Sequence, residues 1–204
     1  MRVERIALSR SAPEVLRCLV AATTHLGLPP PAALTGDWFG SRAVIAPSVA
    51  VEPVHATGAF DVGAGSPGAA IGGGWIGYLS YPDAGRDGSD PRIPEAAGGW
   101  TDDVLRLDVG GTWWYESLSD AAAPAWLVGA LAVDLPPSVC HVAWGEADRN
   151  AHRAGVLACL DAIVAGEVYQ ACVCTQILGT VTGTPADFFA EAVARTAPAR
   201  AAFV

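Results

Sequence analysis

The stretch Asn150–Leu178 reads NAHRAGVLACLDAIVAGEVYQACVCTQIL, and it decides the fold class because its hydrophobic period changes within it. Apolar residues three and four positions apart predict a helix that ends at Gly166, where a left-handed C-terminal cap would lie. After this glycine the period becomes two, which predicts a strand over Glu167–Gln176 with Tyr169 on its apolar face and Gln170 on its mixed face. Spacing alone favours a structural Gln170 whose side chain bonds to backbone groups.

Other segments carry local signals for helices and strands. Ser11 and Glu14 have the spacing of a capping box, so we expect a helix from there to about Leu26, ended by Gly27. Apolar and β-branched runs on both sides of Gly110–Gly111 predict a β-hairpin. Helices combined with hairpin-connected strands indicate an α+β protein rich in antiparallel sheet.

The chain divides most naturally within residues 134–146, where prolines interrupt one organised region before the next helix begins. We therefore predict a first domain over residues 1–140 and the start of a second over 147–204. In the second domain, the run 184–187 has the pattern of a helix start, with proline at the first helical position. The apolar approach to a strand that stops at Val204 indicates a truncated chain.

Composition excludes several classes of function. All twelve basic residues are arginine, so a lysine nucleophile or a lysine-bearing phosphate loop is excluded. The net charge of -9 argues against nucleic acid and against an anionic membrane surface as partners. No apolar run reaches the length of a membrane span and the N-terminus does not look like a signal peptide, so we expect a cytoplasmic protein. The five cysteines form no CxxC pair, which signals neither a disulfide framework nor a zinc site.

Three segments resemble one family of enzymes. Residues 163–170, IVAGEVYQ, resemble the I-x-x-G-D/E-x-Y-Q signature of the chorismate-utilising enzymes, which include the first components of anthranilate synthase and aminodeoxychorismate synthase. Residues 72–81, GGGWIGYLSY, resemble the family's G-G-x-x-G-Y-L-S-Y-D, and residues 35–38 resemble an early strand. The L-L-E-S segment of the anthranilate enzymes is absent, which favours the aminodeoxychorismate branch. The resemblance implies an anthranilate synthase component I-type N-terminal domain, followed by the first helix-strand-helix of the chorismate-binding domain.

The resemblance also implies a reaction. Family members aminate chorismate with ammonia from a glutaminase partner, on the way to 4-aminobenzoate and folate, and the complete enzyme uses Mg²⁺. The family's metal-holding carboxylates and catalytic lysine lie beyond the point that matches Val204, so this chain contains neither metal ligands nor catalytic residues. Gly166, Tyr169 and Gln170 are then signature residues of the substrate domain. Two alternatives stay open: the anthranilate branch, and a non-catalytic module that docks a glutaminase or binds a ligand.

Some members of the family hold tryptophan or a related ligand in a pocket beside the N-terminal sheet. Arg42 and Arg200 could grip its carboxylate through their guanidinium groups. In the other interpretation these two arginines are simply exposed charges. The positions of this sequence that match the pocket are Thr35, Gly40, Ser41, Arg42, Ala43, Pro198, Ala199 and Arg200.

Overall fold

The structure is a computed structural model that describes residues 1–55, 70–80, 93–137, 139–175 and 177–204. Over these residues the chain is a mixed α+β protein whose paired strands are antiparallel, as the sequence predicts. The helices are α1 Ala12–Leu26, α2 Ala125–Ala132, α3 Arg149–Val164 and α4 Pro185–Thr196. The strands are β1 Arg2–Ile6, β2 Ala32–Trp38, β3 Ser41–Ala46, β4 Glu52–Pro53, β5 Gly74–Leu79, β6 Ala96–Thr101, β7 Asp103–Asp108, β8 Trp113–Ser117, β9 His141–Trp144, β10 Gly179–Thr182 and β11 Arg200–Phe203.

Two compact units make up the chain. The first unit contains Met1–Ser138 together with Pro185–Val204, and the second contains Val139–Thr184. Residues 185–204, predicted as part of the second domain, therefore belong to the first unit. In the part of the chain that the structure describes, no helix is long and apolar enough to cross a membrane.

The first unit is built on a six-stranded sheet in the order β1-β8-β7-β3-β2-β11. Side chains alternate between the two faces of this sheet. Ala33, Ile45, Leu105 and Tyr115 lie on the face that packs against the helices, where they join Leu16 and Leu19 of α1 and Leu127 of α2 in the main core. The predicted hairpin at Gly110–Gly111 is present, because β7 and β8 pair from Asp103 and Ser117 to Leu107 and Trp113.

Helix α1 begins as its sequence predicts. The carboxylate of Glu14 accepts hydrogen bonds from the backbone N–H of Ser11 at 2.7 Å and from its hydroxyl at 2.6 Å. These two bonds hold the pKa of Glu14 below its usual value. The helix ends before Gly27, whose backbone N–H returns to the last turn. The cap thus satisfies groups that a free helix end would leave unpaired.

The second unit pairs β9 with β10 and contains α3. Helix α3 ends at Val164, and Gly166, two residues later, has the predicted left-handed conformation with φ of 75°. The N–H of Gly166 donates to Ile163 at 3.0 Å, and that of Glu167 donates to Ala162 at 2.9 Å. This bond pair is the Schellman arrangement that ends many helices.

The predicted strand over residues 167–176 is wrong for the part of it that is described, because residues 167–175 form no strand. The period of two is present in the sequence, but a strand also needs a partner whose backbone groups complete a ladder. The described segment has no such partner, and Tyr169 is 96% exposed. Of the helix-strand-helix expected here, the two helices are observed, with α4 belonging to the first unit.

A three-stranded sheet in the order β4-β6-β5 forms the other layer of the first unit. Glu116 of β8 connects the segment before β5 to the large sheet. Its side chain is fully buried, and it accepts hydrogen bonds from Arg106 Nε at 2.5 Å, from the N–H of Ile71 at 2.5 Å and from the N–H of Gly72 at 3.0 Å. The buried carboxylate is therefore compensated by one cation and two backbone donors.

We expect Arg106→Ala to lower the free energy of unfolding by about 3–5 kcal/mol, because it leaves the carboxylate of Glu116 buried without its cation. Urea denaturation followed by circular dichroism measures this change. The matched control is Arg195→Ala, since the Arg195–Glu191 pair lies on the surface and contributes only about 0.3–0.5 kcal/mol. Equal losses in the two variants would contradict a structural role for the buried pair.

Candidate ligand pocket

A cavity of about 310 Å³ in the first unit is lined by residues from both of its sheets. The large sheet contributes the face opposite the helix core, through side chains that alternate with the core residues. The small sheet contributes β5 and the residues before it. The lining consists of Leu34, Trp38, Phe39, Val44, Ala46, Ile71, Gly73, Gly74, Trp75, Ile76, Gly77, Thr101, Val104 and Ala202.

Two glycines shape the small-sheet side of the cavity by making room for the indole of Trp75. Gly77 of β5 pairs with Gly98 of β6, and the Trp75 ring lies against both. A Cβ atom at either glycine would overlap that ring and a backbone oxygen, of Ala97 or Ile76. The G-Y part of the GGGWIGYLSY segment therefore has a packing explanation, since glycine is needed for an aromatic side chain to approach the backbone.

Two polar side chains on the wall of the cavity, Trp38 and Thr101, are already hydrogen-bonded within the protein. The indole Nε1 of Trp38 donates to the carbonyl of Thr35 at 3.0 Å, and the hydroxyl of Thr101 donates to the carbonyl of Asp103 at 2.8 Å. What remains facing the cavity is chiefly aliphatic and aromatic surface. Such a wall suits an apolar or aromatic ligand rather than a highly charged one.

Arg200, the first residue of β11, contacts the rim of this cavity. Its Nε donates to the carbonyl of Asp37 at 2.6 Å, and its guanidinium carbon lies 5.4 Å from the centre of the Trp38 ring. Gly36 permits the close approach, because a Cβ atom there would overlap the carbonyl oxygen of Ala199. Arg200 is 62% exposed and its charge meets the Asp37 carboxylate only at 3.9 Å. Its face toward Trp38 is a cation–π contact.

The structure brings some of the sequence-predicted pocket residues together, but on the other side of the sheet. Thr35 pairs with Ala43 in β3 and with Ala201 in β11, so these three share the helix-packed face. Thr35 is 4% exposed, and its hydroxyl has no hydrogen-bond partner among the described residues. The cavity is lined instead by the neighbours of these residues, Leu34, Val44 and Ala202.

The remaining predicted pocket residues lie at the edges of this region. Gly40 forms the two-residue β2–β3 turn with Phe39, both with positive φ. Ser41 is buried beside that turn, whereas Arg42 is exposed. Pro198 is half-buried and Ala199 is exposed, directly before β11. Neither Arg42 nor Arg200 lines the cavity. Binding of a carboxylate by these two arginines stays a prediction.

Sequence reasoning missed the aromatic side chains that shape the cavity, namely Trp38, Phe39 and Trp75. Leu34 and Trp38 both line the cavity, but the register shift between Thr35 and Trp38 breaks the alternation of β2, so counting positions gives no signal for Trp38. The one local signal was Trp75 between glycines in β5. Recognising the cavity would have required knowing that these two strands face each other, which local periodicity does not reveal.

The substrate-domain signature residues Gly166, Tyr169 and Gln170 belong to the second unit. Gly166 caps α3, and the other two residues are exposed in the segment after it. Their role toward a substrate stays a prediction. Among the described residues, no group of three or more His, Cys, Asp or Glu side chains could hold a metal ion. The Mg²⁺ of the complete enzyme stays an expectation from the resemblance, which puts its ligands beyond the point that matches Val204.

The chain was also compared with known proteins. No protein-family model matches it, and no curated protein matches it.

We expect Gly77→Ala to destabilise the first unit by about 1–3 kcal/mol, because the added methyl group must displace the Trp75 ring or the backbone of β6. Urea denaturation gives the loss, and near-ultraviolet circular dichroism reports the altered indole environment. Gly129→Ala is the control: nothing lies within 4 Å of a Cβ atom there, and α2 should gain about 0.5–1 kcal/mol. A stable Gly77→Ala protein with an unchanged aromatic spectrum would refute this packing.

Proposed function

We propose that the chain corresponds to the N-terminal portion of a chorismate-utilising enzyme of the aminodeoxychorismate synthase component I type. The complete enzyme would aminate chorismate to 4-amino-4-deoxychorismate with ammonia from a glutaminase subunit. Support comes from three resembling segments that keep their order along the chain. Residues 35–38 lie in β2, residues 74–79 of the second segment form β5, and residues 163–166 of the third end helix α3.

The observation that carries this proposal is the incomplete burial of the second unit. Of its described residues, 139–175 and 177–184, none is buried. Each large apolar side chain left exposed forgoes about 1.5–3 kcal/mol of burial free energy, so a stable unit needs further apolar surface against it. The start of a larger substrate domain would have this character. The most exposed apolar side chains are Val139, Trp144, Leu157, Leu160, Val164, Tyr169 and Leu178.

The chemistry of amination would then depend on residues outside this chain. The sequence has no lysine, and Mg²⁺ in the complete enzyme would neutralise charge on the chorismate carboxylates. A net charge of -9 repels a dianion on average, so substrate binding also needs a local cation. The 204-residue polypeptide by itself should therefore be catalytically silent.

The decisive experiment is to read the nucleotide sequence after codon 204 and to assay both polypeptides with chorismate, ammonium and Mg²⁺. We expect an open frame that encodes a lysine-bearing P-I-K-G-T-like segment and paired carboxylates. The longer polypeptide should then form aminodeoxychorismate, whereas the 204-residue chain forms none. A stop codon directly after Val204, or product formed by the short chain, would contradict the proposal. Anthranilate as the product would assign the protein to the anthranilate branch.

The cavity between the two sheets favours a second candidate function, a module that binds a small aromatic ligand. Its volume of about 310 Å³ falls at the small end of known ligand pockets. The Trp38, Phe39 and Trp75 rings offer surfaces on which an indole or phenyl group could stack. This function is compatible with the first one, because a regulatory ligand can bind to the N-terminal domain of an enzyme whose active site lies elsewhere.

Isothermal titration calorimetry with L-tryptophan tests the module. We expect binding to the 204-residue chain that weakens about three- to tenfold in Phe39→Ala, since one stacking surface is removed. Phe39 is 72% exposed, so its truncation should leave the fold intact. Val109→Ala is the matched control, at a 67% exposed position in the β7–β8 turn. Absence of heat with tryptophan and with a glutaminase subunit would eliminate the binding-module candidate.

A further inference from the structure

Two thiols of the second unit lie side by side. The Sγ atoms of Cys172 and Cys174 are 3.6 Å apart, and both residues are exposed. They lie in the segment after Gly166 that forms neither helix nor strand. The pair thus combines mutual contact with access from solvent, which the other cysteines of the chain do not share. Cys18 is buried, and Cys140 and Cys159 are half-buried.

The residue between the two cysteines explains why their thiols meet. Val173 is half-buried and packs on α3 at Gly155, where a Cβ atom would lie only 3.1 Å from Val173 Cγ1. With Val173 held against the helix, the two flanking residues Cys172 and Cys174 are both exposed and their sulfur atoms are in contact. The helix therefore orients a pair that local sequence alone would leave free to separate.

We propose that Cys172 and Cys174 form a thiol–disulfide exchange site whose substrates are low-molecular-weight disulfides. One thiolate attacks a sulfur of the small disulfide, which forms a mixed disulfide and releases one small thiol. The second thiolate then attacks the protein sulfur of that mixed disulfide and releases the other small thiol. The two cysteine thiols are oxidised with loss of two protons, and the small disulfide is reduced to two thiols.

The geometry is close to what ring closure requires. A disulfide needs its sulfur atoms about 2.0 Å apart, so the observed 3.6 Å must shorten on closure. The segment can move in this way because it is not part of a helix or a strand ladder. The hydrogen bond and charge of Cys172 raise the pKa of the Cys174 thiol. Once Cys172 is in a mixed disulfide, that opposing charge is gone and Cys174 ionises more readily to complete the exchange.

Equilibration of the 204-residue chain with graded ratios of oxidised to reduced glutathione tests the site. The reaction is stopped with iodoacetamide, and trypsin, which cuts after arginine here, releases the peptide 154–195 that holds Cys159, Cys172 and Cys174. We expect this peptide to lose two hydrogen atoms and to carry a single label, on Cys159. Cys172→Ser and Cys174→Ser should each accumulate a glutathione adduct on the remaining thiol. Cys159→Ser is the control, and it should close as the unsubstituted chain does.

A second variant separates the folded site from the local sequence. Gly155→Ala pushes on Val173, and we expect it to shift the glutathione ratio at half-closure by about threefold, as unfolding in guanidinium should also do. Three labels on the peptide at every ratio, a persistent glutathione adduct without closure, or pairing with Cys159 would each overturn the proposal. A midpoint that is the same in the native chain, in Gly155→Ala and in guanidinium would overturn the role assigned to the helix.

Discussion

The first unit depends on one buried carboxylate. Glu116 is on the face of the large sheet that looks toward the small sheet, and its oxygens bind Arg106 beside it and two backbone N–H groups of the segment that leads into β5. A carboxylate in this position is costly to bury unless every acceptor direction is used. Because the donors come from both layers, satisfying this charge also fixes where β5 begins. The contact thereby also sets the position of the cavity and of the Trp75 ring that shapes it.

Local signals predicted the helices and the turns of this chain well. The cap at Ser11 and Glu14, the end of α3 at Gly166 and the helix start near Pro185 are all encoded within a few neighbouring residues, and the structure has each of them. The β7–β8 hairpin belongs to the same group. The failure at residues 167–175 has the opposite cause: alternation is a property of the segment, but a strand is a property of a pair. A period of two cannot report whether a partner is present.

The pocket shows a related limit of prediction from sequence, namely which face of a strand a side chain occupies. The family resemblance placed the pocket at residues of β2, of β3 and of the segment leading into β11. These three strands are neighbours in the sheet. The resemblance did not identify the face, because Thr35 and Ala43 point to the helices while Leu34 and Val44 point to the cavity. A shift of one residue moves a side chain from one side of a sheet to the other. The register shift between Thr35 and Trp38 makes such a count from sequence harder still.

Strand β11 has a consequence for how the protein is made. It pairs with β2, so residues 200–203 cover an edge formed by residues 32–38, and the whole second unit is inserted between them in the sequence. At a synthesis rate of about 5–20 residues per second, the nascent sheet waits on the order of ten seconds or more for its last strand. During that interval the N–H and C=O groups of β2 are open to pairing with other chains. Co-translational chaperone demand should thus be set by this delay rather than by the stability of the finished sheet.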